Sequence, residues 1–128
     1  MNKNLHLIIR IFVALILVQT LRFKFTAHPD SIYIFTKVGL EPFGRIGIGI
    51  LELIAAVLIL IPKTIWVGAL LTFGIISGAV MMHLTQLGIE INYDGGKLFY
   101  LAVITFILSG IILFKERKKI TIVGSFIK

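Results

Sequence analysis

Apolar residues dominate four long stretches of this 128-residue chain, and short polar segments separate them. About 20 consecutive apolar residues cross a bilayer as an α-helix, at about 1.5 Å of rise per residue. Four stretches approach that length and predict an all-α integral membrane protein, a four-helix transmembrane bundle forming a single domain over residues 1–128. The predicted spans are residues 5–25, 43–61, 65–87 and 97–114.

The first span has the weakest signal, because its uninterrupted apolar run covers only Ile11 to Val18. Arg10 precedes this run, and Gln19 and Arg22 follow it. A cleaved signal peptide is the alternative, but such a peptide ends in a cleavage site built of small residues. No small-residue site follows the run, so we expect a retained transmembrane helix.

The segments between the spans indicate how the helices connect. Pro62-Lys63-Thr64 is so short that the second and third spans must be antiparallel neighbours. The 88–96 segment contains Asn92-Tyr93-Asp94-Gly95-Gly96, which is strong turn chemistry. The longest segment, 26–42, contains Ile32, Ile34, Phe35 and Val38 and predicts a short interfacial helix that begins near His28-Pro29 and ends at Gly39.

Composition supports the membrane environment and excludes several classes of function. The chain is 58% hydrophobic and 15% charged, whereas a soluble domain has about 45–50% apolar and about 25% charged residues. It has no cysteine, which excludes disulfides and thiol redox chemistry within the chain. Its three histidines lie at different depths, so we expect no metal site and no covalently bound cofactor.

The net charge of +7 reflects the distribution of basic residues around the spans. Nucleic-acid binding is not expected, because the spans leave no folded polar face for a basic patch. Four spans place both termini on one side, and that side is the more basic, which predicts that both termini are cytoplasmic. Its basic residues are Lys3, Lys63, Lys115, Arg117, Lys118, Lys119 and Lys128, against Lys24, Lys37 and Lys97 on the other side, with Arg22 and Arg45 near that boundary.

Glycines recur in the second and third spans. Gly44, Gly47 and Gly49 do not follow a strand or match the spacing of a dinucleotide-binding loop. We expect them to allow close helix packing, as small residues do within membranes. Gly74 and Gly78 form a Gly-x-x-x-Gly pair, for which packing inside the bundle is favoured over a homodimer contact.

Glu52 is the most informative residue, since it lies near the middle of the second span. A carboxylate at that depth costs about 2.5–3.5 kcal/mol even on the gentler insertion scale. We therefore expect Glu52 to face the bundle interior and to be either protonated or directly partnered. Proton exchange or ligand binding is the favoured role, and a purely structural buried hydrogen bond is the alternative.

Several other polar residues fall in the same leaflet as Glu52 when each is placed by its depth along an ideal helix. Together they predict a funnel open toward the 26–42 and 88–96 segments. Taken singly, the basic residues could instead extend to lipid headgroups. The funnel has Lys24, Arg22, Arg45 and Asp94 at its mouth, His83, Gln19 and Gln86 below them, and Glu52 at its floor.

At these positions the sequence resembles the DoxX family of small four-helix membrane proteins, over about residues 20–114. The resemblance rests on Lys24-Phe25 with His28-Pro29, Gly39-Leu40-Glu41-Pro42 before Gly44-Arg45, Glu52-Leu53, His83-Leu84 and Asp94-Gly95-Gly96. It implies a multi-pass protein of the bacterial cytoplasmic membrane. The family name comes from subunits associated with quinone-linked oxidation of sulfur compounds.

The function expected from these features is binding of a quinone, or of another amphipathic small molecule, in an outer-leaflet polar pocket. The chain would act as one subunit of a membrane redox complex, with a membrane or periplasmic redox partner, rather than as an enzyme alone. Two alternatives remain open: a small proton-coupled transporter in which Glu52 titrates, and a non-catalytic membrane scaffold subunit.

Overall fold

The computed structural model describes residues 2–26, 28–41, 43–89 and 95–118. These residues form a helical bundle, and four of the helices are long and apolar enough to cross a membrane. The helices are α1 Lys3–Phe25, α2 Pro29–Lys37, α3 Phe43–Leu60, α4 Ile65–Met82 and α5 Lys97–Lys115. The prediction of an all-α fold compatible with a four-helix transmembrane bundle is confirmed.

The connections follow the turn chemistry of the sequence. A 3₁₀ turn, Pro62–Thr64, joins α3 to α4, and a π-helical turn, His83–Leu87, extends α4. The predicted short helix between the first two spans is α2, which begins where the His28 side chain accepts a hydrogen bond from the Asp30 N–H at 3.1 Å. It ends before Gly39, whose φ of +78° is accessible to glycine at little cost.

The four long helices pack in a ring. α1 packs on α3, α3 on α4 and α4 on α5, and a smaller contact between α5 and α1 closes the ring. His6 Nε2 lies 3.8 Å from Glu116 Oε1, so the beginning of α1 lies beside the end of α5. α2 covers the opposite end, where it contacts α1, α3 and the π-helical turn.

The half of the bundle near His6 and Glu116 is closely packed. Its core is built from small and branched side chains of all four long helices: Val13, Ala14, Leu17, Ala55, Ala56, Ile59, Ile65, Ala69 and Ile112. Gly68 allows α4 to approach α3 closely, because a Cβ at that position would lie 2.5 Å from the Ile59 backbone nitrogen. This end of the bundle therefore has a fixed helix spacing.

The outer surface is apolar, as a protein surrounded by lipid requires. Phe43 is 85% exposed, and Phe114, Leu15 and Ile8 are also exposed. Gly49 meets the packing prediction, because a Cβ there would lie 2.8 Å from the Phe25 ring. For Gly47 the prediction is wrong, since no atom of the described residues lies within 4 Å of a Cβ at that position.

Candidate functional site

A cavity of about 380 Å³ occupies the half of the bundle that α2 covers. All five helices contribute to its wall, and most of that wall is apolar, with Ile16, Ile48, Ile75 and Leu101 among its side chains. Small-molecule sites typically have volumes of about 300–1,000 Å³ and apolar walls with a few placed polar groups. The cavity therefore has the size and character of a ligand site.

Glu52 lines this cavity and is only 3% exposed. Its Oε1 lies 2.9 Å from the Lys24 ammonium nitrogen, and its Oε2 lies 3.2 Å from the Thr20 hydroxyl oxygen. The Thr20 hydroxyl is shared with the Leu17 carbonyl, at 2.8 Å. Of the two expectations for this carboxyl group, protonated or directly partnered, the structure has the partnered one.

Side-chain direction explains why Lys24 reaches so far into the bundle. Side chains on a helix tilt toward its N-terminus. Lys24 lies near the C-terminal end of α1, so its side chain extends inward past Thr20. Glu52 lies on the antiparallel α3, and its side chain tilts the opposite way, toward Lys24. The two charged groups meet although their backbones differ in depth, so Lys24 is a partner of Glu52 rather than a residue of the mouth.

The same rule explains why the expectation for Arg45 is wrong. Arg45 is buried but does not line the cavity. Its side chain tilts toward the start of α3, away from Glu52, and its Nε lies 2.9 and 3.0 Å from the two carboxylate oxygens of Glu41. Its Nη1 donates to the Lys24 carbonyl. Arg45 thus caps the C-terminal end of α1, where carbonyl groups lack helical partners.

Arg22 and Gln19 occupy a different face of α1 from Thr20 and Lys24. Residues two positions apart do not face the same way on a helix, so Arg22 cannot share the orientation of Lys24. Arg22 is exposed and does not line the cavity, which contradicts its expected place in the funnel. Gln19 is also exposed, but it does line the cavity.

His83 lines the same cavity as Glu52 and is buried. Its Nδ1 lies 3.0 Å from the Gly88 carbonyl oxygen, and its ring packs edge-on against Phe99 with centroids 5.5 Å apart. Because a carbonyl only accepts hydrogen bonds, Nδ1 is the donor here, and Nε2 is an acceptor whenever the ring is neutral. The Gly88 carbonyl thus holds the His83 ring through Nδ1 and leaves Nε2 to accept a hydrogen bond when the ring is neutral.

Gln86 is exposed and does not line the cavity, contrary to expectation. The expectation assumed an α-helix, in which residues three apart share a face. The chain instead forms a π-helical turn from His83 to Leu87, and this wider turn moves Gln86 off the face of His83. Leu87 takes the buried position. Single π-helical turns inside α-helices are frequent at functional sites.

Gly74 and Gly78 line the cavity. No atom of the described residues lies within 4 Å of a Cβ built at either position. Packing inside the bundle, the favoured expectation, is therefore wrong for both. Their missing side chains widen the cavity along α4, and this gives the two glycines a role that sequence spacing did not suggest.

Several lining residues were not predicted from the sequence, and Thr20 is the most important of them. Thr20 precedes Lys24 by four residues, so their shared face was a usable signal. Asp30 and Ser31 of α2 and Lys97 of α5 also line the cavity, and only the tertiary position of α2 brings the first two there. Asp94 lies outside the described residues.

The lining and the Glu52 contacts together define the candidate site: the ion pair of Lys24 and Glu52, the Thr20 hydroxyl and the His83 imidazole, in an apolar cavity. The site presents donors and acceptors to one cavity. A scan against protein-family models, a search of curated proteins and a search of solved structures each found no match for this chain.

Proposed function

We propose that this protein binds a quinone, or a closely similar amphipathic small molecule, in the cavity, as a DoxX-like subunit of a membrane redox complex. The observation that carries the proposal is the cavity itself, with the Lys24–Glu52 pair and His83 on its wall. A quinone needs an apolar slot for its ring and tail, and hydrogen-bonding or proton-exchanging groups at its head.

The polar groups suit both redox states of such a ligand. A quinone has carbonyl oxygens, which accept hydrogen bonds from the Lys24 ammonium. A hydroquinone has hydroxyl groups, which donate to the Glu52 carboxylate or to Nε2 of His83. Reduction of the quinone consumes two protons and two electrons. In this proposal Glu52 and His83 exchange the protons, and the electrons pass to or from a partner subunit.

The exposed Gln19 suggests where a ligand enters. Gln19 both lines the cavity and is exposed on the outside of α1. Contact between α1 and α5 is the least extensive of the four long-helix pairings in the ring. We propose that an apolar tail reaches the polar head site from the lipid between α1 and α5, where these helices contact each other least.

The proposed orientation places the cavity in the outer leaflet of a bacterial cytoplasmic membrane, with both termini cytoplasmic. Within the described residues, the terminal end of the bundle carries Lys3, Lys63, Lys115, Arg117 and Lys118. Basic residues are enriched on the cytoplasmic side of membrane spans. A partner that exchanges electrons with the ligand would then approach from the periplasmic side or within the membrane.

Thermal unfolding of the purified protein with and without decylubiquinone tests the proposal. A ligand present at about 100 times its Kd stabilises the native state by about 2.7 kcal/mol. Gly78→Leu fills the cavity from a position where a Cβ meets no other atom, so this variant should fold and lose the stabilisation. Gly47→Leu is the matched control, because Gly47 is equally uncrowded but does not line the cavity.

We expect decylubiquinone to stabilise the wild type and Gly47→Leu but not Gly78→Leu. Equal stabilisation of all three proteins would place quinone binding outside the cavity. A wild type that responds neither to decylubiquinone nor to its reduced form would contradict the proposal and favour the scaffold alternative. Proton flux in liposomes that depends on Glu52 would favour the transporter alternative.

A further inference from the structure

A second buried charge lies at the other end of the bundle, away from the cavity. Arg10 of α1 is 7% exposed and does not line the cavity. Its Nε and Nη1 are shielded from solvent and have no hydrogen-bond partner among the described residues. A guanidinium group keeps its charge under all ordinary conditions. An uncompensated buried cation is strongly unfavourable, so Arg10 needs an anion.

The position of Arg10 in α1 directs its side chain toward the terminal end of the bundle. Arg10 follows Lys3 by seven residues, which places its backbone about 10 Å inside the start of α1. Because helical side chains tilt toward the N-terminus, its side chain extends back toward His6, one turn earlier. A long basic side chain of this kind can reach the lipid headgroup region while its stem stays among apolar residues.

Charge at this end is strongly positive. The acidic side chain near His6 is Glu116, and its carboxylate faces the His6 ring at 3.8 Å. Lys3, Lys115 and Arg117 lie at the same end of α1 and α5. Among the described residues at this end, basic side chains outnumber the one acidic side chain, Glu116. The potential at this end therefore attracts anions.

We propose that Arg10 is the centre of a phosphate-binding site that holds the phosphodiester headgroup of an anionic lipid in the leaflet at the terminal end. A guanidinium binds two phosphate oxygens through two parallel N–H donors, the geometry for which arginine is best suited. The basic residues at the helix ends add further positive charge. The site would anchor α1 to α5 where the two helices meet.

Lipid dependence of thermal unfolding tests this site. Purified wild type, Arg10→Gln and Arg10→Met are titrated in neutral detergent with phosphatidylglycerol, phosphatidylcholine or inorganic phosphate. Native mass spectrometry counts the lipids retained. Arg22→Gln is the matched control, because Arg22 lies on the same helix but is exposed at its other end.

We expect phosphatidylglycerol to stabilise the wild type and Arg22→Gln, and its apparent affinity to fall at least tenfold in both Arg10 variants. Arg10→Met preserves much of the side-chain volume without its charge, so it remains informative if Arg10→Gln does not fold. A wild-type response to inorganic phosphate as strong as that to phosphatidylglycerol would confirm the oxyanion site and identify free phosphate as its ligand.

Three results would overturn the proposal. They are an unchanged phosphatidylglycerol affinity in Arg10→Met, a response to phosphatidylcholine equal to that to phosphatidylglycerol, or evidence that Glu116 and not a lipid neutralises the charge of Arg10. The last would appear as a coupling between Arg10→Met and Glu116→Gln that persists in lipid-free detergent. The response to decylubiquinone should be the same in Arg10→Met as in the wild type, so this test is independent of the cavity.

Discussion

Removing the carboxylate of Glu52 should destabilise the bundle by leaving the Lys24 ammonium without its anion. Breaking a buried ion pair by removing one partner costs about 3–5 kcal/mol. The Lys24 side chain is 16% exposed, so part of its charge stays solvated. Glu52→Gln also keeps an acceptor oxygen for Lys24, although a neutral acceptor gives about half the strength of a charged one. We therefore expect about 3 kcal/mol for Glu52→Gln, and nearer 5 kcal/mol for Glu52→Leu.

A double-mutant cycle separates the ion pair from other effects. Lys24→Met and Glu52→Leu should each lower the free energy of unfolding. The double variant should lose at least about 2 kcal/mol less than the sum of the two single losses, because it leaves no unpaired charge. Equilibrium unfolding in mixed detergent micelles measures all four proteins. If the two single changes add to within roughly 0.5 kcal/mol of the double variant, the pair contributes nothing and our account of the site is wrong.

Two further predictions concern the frame around the site. Arg45→Met should cost about 2–4 kcal/mol in the same unfolding assay, because it leaves both Glu41 and the end of α1 without their charged partner. Arg45→Lys should lose less stability but remain less stable than the wild type, since an ammonium lacks the fork geometry of a guanidinium. An Arg45→Met variant as stable as the wild type would exclude a capping role. In intact cells, an impermeant thiol reagent should label Thr36→Cys and spare Lys63→Cys, both at exposed positions of a chain without native cysteine. The reverse pattern would place the termini outside.

The bounds of the helices and the burial of Glu52 follow from the sequence alone. Span length and hydropathy are properties of local chain segments, because a bilayer requires each segment to satisfy its own backbone hydrogen bonds. The observed helices accordingly begin and end close to the predicted bounds. The burial of Glu52 also followed from sequence, since a carboxylate in an apolar run has to face the interior.

Which polar side chains contact one another in the cavity depends on the tertiary structure. Backbone depth alone predicted that Arg45, Arg22 and Gln86 line the funnel. In the structure, none of the three lines the cavity. The errors have three physical causes: side chains tilt toward the helix N-terminus, residues two apart point to different sides, and a π-helical turn shifts the phase after His83. The first of these also brings Lys24 to Glu52.

The cavity itself is a property of the assembled bundle. Gly74 and Gly78 read as packing residues in the sequence, yet the helix spacing is set at the other end of α4, where Gly68 lies against α3. Farther along α4 the long helices surround the cavity, and α2 covers its end. The absence of side chains at Gly74 and Gly78 leaves this cavity wider. A sequence records which side chains are small, whereas the distance between facing helices decides whether a small side chain closes a gap or leaves one.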